Sequence, residues 1–273
     1  RKEDKMNLGH VSVVSIIGMI ISMIIAIGLP VFLMLFVRKK EKAQINFFFI
    51  GAAVFVLAAL FLEQACHALV FSVAGDVLKG NVFLYALYAG IAAAVFEETG
   101  RLIAMNIFSK RQKVRLNDAN AFMYGIGHGG AESILLVGIT CINNLTTSIM
   151  IDNGSIETTL KALDAKTQST ALSSIKALWT TAPYEFYLAG VERIFAIAIQ
   201  IALSMLMYTA IRYGKKWLIA LAFEIHFIVD FVTVLAGNFL DDIVMELLIG
   251  ILAAMISYVT YMIWNRCSKE KQA

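Results

Sequence analysis

The chain has 273 residues, 59% of them hydrophobic and 16% charged, with a formal net charge of +3. Soluble domains are about 45–50% apolar even with glycine counted, so this composition excludes an ordinary soluble domain and indicates a polytopic membrane protein. The small net charge gives no sign of a nucleic-acid partner and none is expected, and Cys66, Cys141 and Cys267 are too scattered for a disulfide framework or a Cys-rich metal site.

In chain order, residues 1–5 precede Met6 and are expected to be upstream sequence. The apolar run at 11–37 is too long for the core of a cleavable signal peptide and reads as an anchor. A spanning helix needs about 20 mostly apolar residues. Seven stretches qualify: 11–37, 45–71, 81–108, 118–149, 186–211, 217–237 and 243–264. They predict an all-α, polytopic membrane helix bundle of about seven transmembrane helices, forming a single transmembrane domain over residues 1–273.

The connections alternate in charge. Segments 38–42, 110–115 and 212–216 and the tail from Arg266 are basic, whereas the others carry Asp76 and Lys79, the polar stretch 150–182, and Asp241 and Asp242. Basic loops stay cytoplasmic, which places the N-terminus outside and the C-terminus in the cytoplasm. A bacterial plasma membrane is the expected location. In the outer loop 150–182, Leu160, Leu163, Leu172, Ile175, Leu178 and Trp179 recur at roughly helical spacing, so part of it is expected to lie flat on the outer surface. Asn144 and Asn153 match glycosylation acceptors, a pattern short enough to arise by chance. No internal repeat or phosphate-cradling glycine loop is evident.

Ionisable residues inside these spans carry the functional signal. Glu97, Glu98 and Arg101 share one span, His128 and Glu132 the next, and Glu224, His226 and Asp230 a later one. A charge at the bilayer centre costs roughly 3 kcal/mol, so such residues need partners and a purpose. At about 1.5 Å per residue, counted from the cytoplasmic ends, Glu97, His128 and His226 reach one common depth. Arg101 lies within helical reach of both glutamates; Tyr124, His128 and Glu132 form one stripe, and His226 and Asp230 another. The glycines from 125 to 130 surround His128 with small residues, allowing close helix approach or room for water and substrate.

Glu97-Glu98-x-x-Arg101, Tyr124-x-x-x-His128 and His226-x-x-x-Asp230 resemble the three motifs of the CAAX-protease superfamily of intramembrane proteases. That superfamily includes the type II CAAX prenyl endopeptidases, the PrsW proteases and the YhfC family of intramembrane peptidases. The arginine stands one residue closer than in the type II pattern, and tyrosine replaces phenylalanine. The shortened first motif and the glycine-rich run ending at Glu132 look most like YhfC. The resemblance implies an intramembrane endopeptidase that cuts a membrane-associated protein or peptide within the lipid bilayer. Glu97 or Glu98 would be the general base, with Glu97 favoured, and His128 would help to position water. His226 and Asp230 would stabilise the oxyanion, and Arg101 would hold the second glutamate ionised. Such a site is expected to open through a polar cavity toward the cytoplasm.

Other readings stand beside this one. No cofactor is required in the leading reading, but His128, His226, Glu98 and Glu132 could supply nitrogen and oxygen ligands to zinc. The same carboxylates and histidines could instead serve a proton-coupled carrier, or the chain could be a non-catalytic membrane scaffold. Taken singly, each charged group is as well explained by a structural ion pair, and each histidine by core packing; their coincidence in depth favours a site. Glu192 and Arg193 read as a structural pair or gate near the outer end of their span, with Glu192 able to join an enlarged site. Glu63 and His67 read as interfacial packing.

Overall fold

A computed structural model describes residues 8–111 and 116–270. The upstream residues 1–5, part of the basic connection 110–115, and the end of the tail lie outside the described residues.

Among the described residues nine helical elements follow one another: α1 (Val13–Glu41), α2 (Asn46–Lys79), α3 (Val82–Ser109), α4 (Asp118–Asp152), α5 (Ser155–Lys161), α6 (Ala165–Thr180), α7 (Pro183–Tyr213), α8 (Trp217–Ala236) and α9 (Asp242–Glu270). All but α5 and α6 are long and apolar enough to cross a membrane. The chain is a multi-pass integral membrane protein built as an all-α bundle. Its outer faces are apolar, with Phe61, Val73 and Leu247 well exposed, while Arg101, Glu98 and His128 lie fully inside. That inversion is what a hydrocarbon solvent demands.

Helix starts follow local chemistry. The side chains of Ser12, Asn81 and Asn117 accept from the backbone N–H groups of Ser15, Leu84 and Asn120, and open α1, α3 and α4. Pro183 opens α7 at a position where its missing N–H costs nothing, and Gly214 closes it with a left-handed φ of 68°.

Three helices carry a π-helical stretch: Ile24–Gly28 in α1, Val56–Glu63 in α2 and Ile134–Gly138 in α4. The first has an evident cause. Pro30 has no N–H to offer the carbonyl of Ala26, and its ring crowds that carbonyl, so the helix widens. Ser133 of α4 donates its hydroxyl to the freed Ala26 oxygen at 3.0 Å, as a buried carbonyl in lipid requires.

The glycine-rich half of α4 is the hub. It packs against α2, α7 and α1. A methyl group at Gly127 would collide with the Phe48 carbonyl of α2, and one at Gly125 would stand 2.7 Å from the Ile201 Cα of α7. The space beside the glycines around His128 is therefore filled by neighbouring backbone at Gly125 and Gly127 and by side chains of Gln200 and Pro30 at Gly129 and Gly130, not left for water or substrate.

The connection 150–182 is helical. Its apolar stripe packs on protein rather than outward: Ile156, Leu160 and Leu178, with Leu172, Ile175 and Trp179, bury against Val11, Met19 and Ile151 of the α1 and α4 ends.

Candidate active site

Four helices deliver the polar groups to one buried level. From α3 come Glu97, Glu98 and Arg101, from α4 His128, from α8 His226, and from α7 Gln200 and Ser204. All are at least nine-tenths buried. Five residues expected to act together, Glu97, Glu98, His128, His226 and Asp230, are brought together.

The two glutamates stand in different surroundings. Glu98 is completely enclosed. Its Oε1 lies 2.8 Å from His226 Nδ1, and its Oε2 lies 3.3 Å from Arg101 Nε, an ion pair lacking hydrogen-bond alignment. Among the described residues Arg101 forms no ion pair with Glu97; it donates to the Gln200 carbonyl at 2.9 Å, the Ser204 hydroxyl at 2.7 Å, and the Gln200 side-chain oxygen. Glu97 Oε2 instead meets His128 Nε2 at 2.9 Å and accepts from Gln200 Nε2 at 3.1 Å. His226 Nε2 lies 3.9 Å from that same Glu97 oxygen and 3.5 Å from Asp230 Oδ2.

Because an ionised carboxylate can only accept, His226 donates from Nδ1 to Glu98, and His128 donates from Nε2 to Glu97. The His128 ring is held edge-on by Phe55 at 5.4 Å and stacked by Tyr124 at 6.1 Å between centroids. Tyr124 thus acts on His128 through its ring, and its hydroxyl makes no hydrogen bond among the described residues.

A second layer lies one helical turn away. Arg193 Nη1 donates to Glu132 Oε1 at 3.0 Å, and its other terminal nitrogen to Glu192. Gln200 Nε2 also reaches Glu132 Oε2 at 3.0 Å, so one amide joins the two layers. Sequence reasoning missed Gln200. A lone glutamine in an otherwise apolar stretch, one turn before Ser204, was the available signal. Glu63 is also less peripheral than its sequence position indicated. It is 8% exposed, lies 3.2 Å from His67, and is within electrostatic range of Glu97, Asp230 and His226. Glu224 is exposed and faces away.

A cavity of about 100 Å³ touches this cluster, lined by His226, Asp230, Thr233, Glu132, Glu192, Arg193 and Gln200 among others. Every polar lining group lies level with His226 or beyond it toward the end of the bundle where α7 and α9 begin. Toward the opposite, basic-loop end, the site is sealed by Tyr124, Met105, Met123, Leu203 and Met207, each almost wholly buried. The cavity's polar lining therefore lies on the side of the site away from the basic loops, whereas the expectation from sequence is a cavity toward the cytoplasm. A larger groove of about 540 Å³ does lie at the basic end, between α1, α4, α7 and α9, but none of the candidate catalytic groups lines it.

Residues 24–256 match a family model described as YhfC intramembrane metalloprotease. The chain belongs to the YhfC family. It is 31% identical to the uncharacterized membrane protein YhfC of Bacillus subtilis (strain 168) over 253 residues, covering 91% of this chain and 96% of that protein. No solved structure is significantly similar. All of the site described above falls within the YhfC match.

The YhfC description implies a metal, so the donors bear on it. Their kinds suit zinc, but their arrangement does not. His128 and His226 each turn a nitrogen to a carboxylate, Glu98 is held by Arg101 and His226, and Glu132 is held by Arg193 and Gln200. Among the described residues no three His, Cys, Asp or Glu side chains stand as a ligand set. The quartet His128, His226, Glu98 and Glu132 does not converge as arranged.

Proposed function

We propose that this YhfC protein is an intramembrane endopeptidase of the plasma membrane of a bacterium, hydrolysing a peptide bond of a membrane-associated protein or peptide with a glutamate-activated water. The basic loops support a cytoplasmic C-terminus and an outer N-terminus, and the shared core supports a single transmembrane domain. One observation carries the mechanism: Glu98 holds His226 by Nδ1, so that Nε2 is presented to the cavity between Glu97 and Asp230.

Glu97 is the base in this reading, because Glu98 has both oxygens engaged. His128 and Gln200 orient Glu97 from two sides, fixing the oxygen that faces water. Glu97 takes a proton from water as the water oxygen attacks the scissile carbonyl carbon. The resulting oxyanion accepts from His226 Nε2–H, with His226 in its doubly protonated form and Glu98 balancing its charge. Asp230, 3.5 Å from the same nitrogen, orients the ring, and donates itself only when it carries a proton. The proton held by Glu97 then passes to the leaving amide nitrogen as the C–N bond breaks. Donors fixed beforehand in a water-poor site are worth several kcal/mol to such a transition state.

The test is cleavage of a membrane-peptide library by purified wild type, Glu97→Gln and His226→Ala, each with and without a strong chelator. Cleavage lost in both variants and retained with chelator is expected. Loss with chelator and rescue by zinc would replace the water-base mechanism with a metalloprotease. Equal cutting by all three proteins would remove the site and leave the carrier and scaffold readings ahead.

A further inference from the structure

The acidic lining of the cavity does not stop at its walls. Glu132, Glu192 and Asp230 line it together with Arg193, which is already shared between the two glutamates, and His226, which is flanked by Glu97, Glu98 and Asp230. Beyond them Glu246 is within electrostatic range of Glu192, Arg193 and Asp242, and one of its carboxylate oxygens is buried without a hydrogen-bond partner. Asp242 in turn shares the surroundings of Tyr184 with Glu185 and Asp241. Acidic side chains are thus spaced from the α7 and α9 starts toward His226. Low-dielectric walls around charges of one sign focus their field into the opening and raise the local concentration of the opposite sign.

We infer that this vestibule admits a cationic stretch of polypeptide, one bearing Lys or Arg side chains, from the outer side of the membrane. The side follows from the basic loops at the sealed end of the bundle, which by their charge belong in the cytoplasm. The polypeptide nature of the ligand rests on the peptidase reading above; the direction of entry and the charge preference rest on the cavity. Lys or Arg entering here finds Glu192 and Asp230, whose side chains are 36% and 32% exposed, as the accessible acceptors.

The test reads accessibility and potential without using catalysis. The full chain, with Cys66, Cys141 and Cys267 changed to Ala, carries one reporter: Thr233→Cys or Ala196→Cys in the cavity wall, or Ser169→Cys on exposed α6. Intact cells are treated with membrane-impermeant methanethiosulfonates, one bearing trimethylammonium and one bearing sulfonate. Both cavity reporters are expected to react in intact cells. Their cationic-to-anionic rate ratio should exceed that of Ser169→Cys by about tenfold and fall toward it with added salt. A nonapeptide rich in lysine should slow the cavity reaction, and one rich in glutamate should not. Reaction only after permeabilisation, no reaction at either cavity reporter, a ratio equal to that of Ser169→Cys, or equal protection by both peptides would each overturn the inference. Failure of the cleavage test with this labelling pattern intact would remove the peptidase reading alone.

Discussion

Glu98 and His226 face each other at 2.8 Å across α3 and α8, and Glu98 is also the ion-pair partner of Arg101. One fully buried carboxylate therefore anchors both an imidazole of the site and the guanidinium that ties α3 to α7. Neutralising it leaves Arg101 buried without a counter-charge, a change that costs on the order of 3–5 kcal/mol when one partner of a buried pair is removed. Glu98→Gln is expected to lower the melting temperature in detergent strongly and abolish cleavage with it. Glu97→Gln keeps the acceptor for His128 and should leave the melt near wild type while cutting the rate by about 10²–10⁴-fold, as loss of a general base does. Thermal unfolding alongside single-turnover cleavage separates the two, and similar melts for both variants would contradict the division of roles.

Gln200 is predicted to matter as much as any motif residue. Its side chain accepts from Arg101 and donates to Glu97 and Glu132, so removal takes one hydrogen bond from each of three polar groups at once. Gln200→Ala should destabilise the fold by roughly 1–3 kcal/mol for each group left unsatisfied, less whatever water can replace. Cleavage should fall as well, since Glu97 loses one of its two positioning contacts. A chemical-denaturation curve that overlays wild type would show that the network is not holding the helices.

Much of this was legible in advance because a membrane simplifies the code. Apolar runs of spanning length announce themselves, and a glutamate or histidine within one stands out against neighbours that need no explanation. The stripes at Tyr124, His128 and Glu132, and at His226 and Asp230, follow from helical spacing alone. What escaped depends on departures from that spacing or on neighbours in space. The π-helical stretch Val56–Glu63 interrupts the register of α2 just where Glu63 ends up buried, so counting at 3.6 residues per turn misplaces it. Gln200 carries no charge and belongs to no motif, and its importance arises from three partners on two other helices. The side of the site on which the cavity's polar lining lies depends on which bulky side chains fill the basic end, and no single segment encodes that.

Gly127 of α4 and Gly28 of α1 offer a test of packing independent of chemistry. Gly127→Ala would drive a methyl group into the Phe48 carbonyl, backbone that cannot move without displacing α2. Gly28→Ala meets a side-chain methyl at an ordinary 3.8 Å. The first should cost at least the roughly 1–3 kcal/mol typical of overpacking, and the second should be near neutral or slightly stabilising. Paired melting curves measure the difference, and equal effects would contradict the close α2–α4 crossing.

The start of α6 should respond to pH. The side chain and backbone N–H of Thr167, then the backbone N–H of Lys166, hydrogen-bond the Asp164 carboxylate and hold its pKa below the usual value. A depressed carboxylate pKa stabilises the folded form above the unfolded pKa of about 3.9, and that contribution is lost as pH falls through the folded value. Amide exchange at Lys166 and Thr167, corrected for intrinsic rates, should therefore rise below about pH 4 in wild type. Asp164→Asn, which keeps a capping oxygen without the charge, should flatten that rise. An unchanged pH profile in the variant would show that the cap does not depend on ionisation.

Arg193 and Glu132 should behave as a coupled pair rather than as two independent contributors. Arg193 is 6% exposed and meets Glu132 at 3.0 Å, with Glu192 as its more solvent-exposed second partner. Arg193→Met alone leaves Glu132 facing only Gln200, and Glu132→Gln alone leaves Arg193 with Glu192. The first is therefore the worse of the two, because the stranded carboxylate keeps only a neutral amide as its partner, whereas Arg193 keeps a carboxylate. Removing both charges together relieves the stranded carboxylate, so the double variant should be more stable than Arg193→Met despite carrying an extra change. The cycle is expected to show a coupling of about 1–3 kcal/mol, read from the four denaturation midpoints. Additive effects would mean that the pair is open enough to water for each charge to be solvated separately, and the second layer would then contribute little to holding α4 against α7.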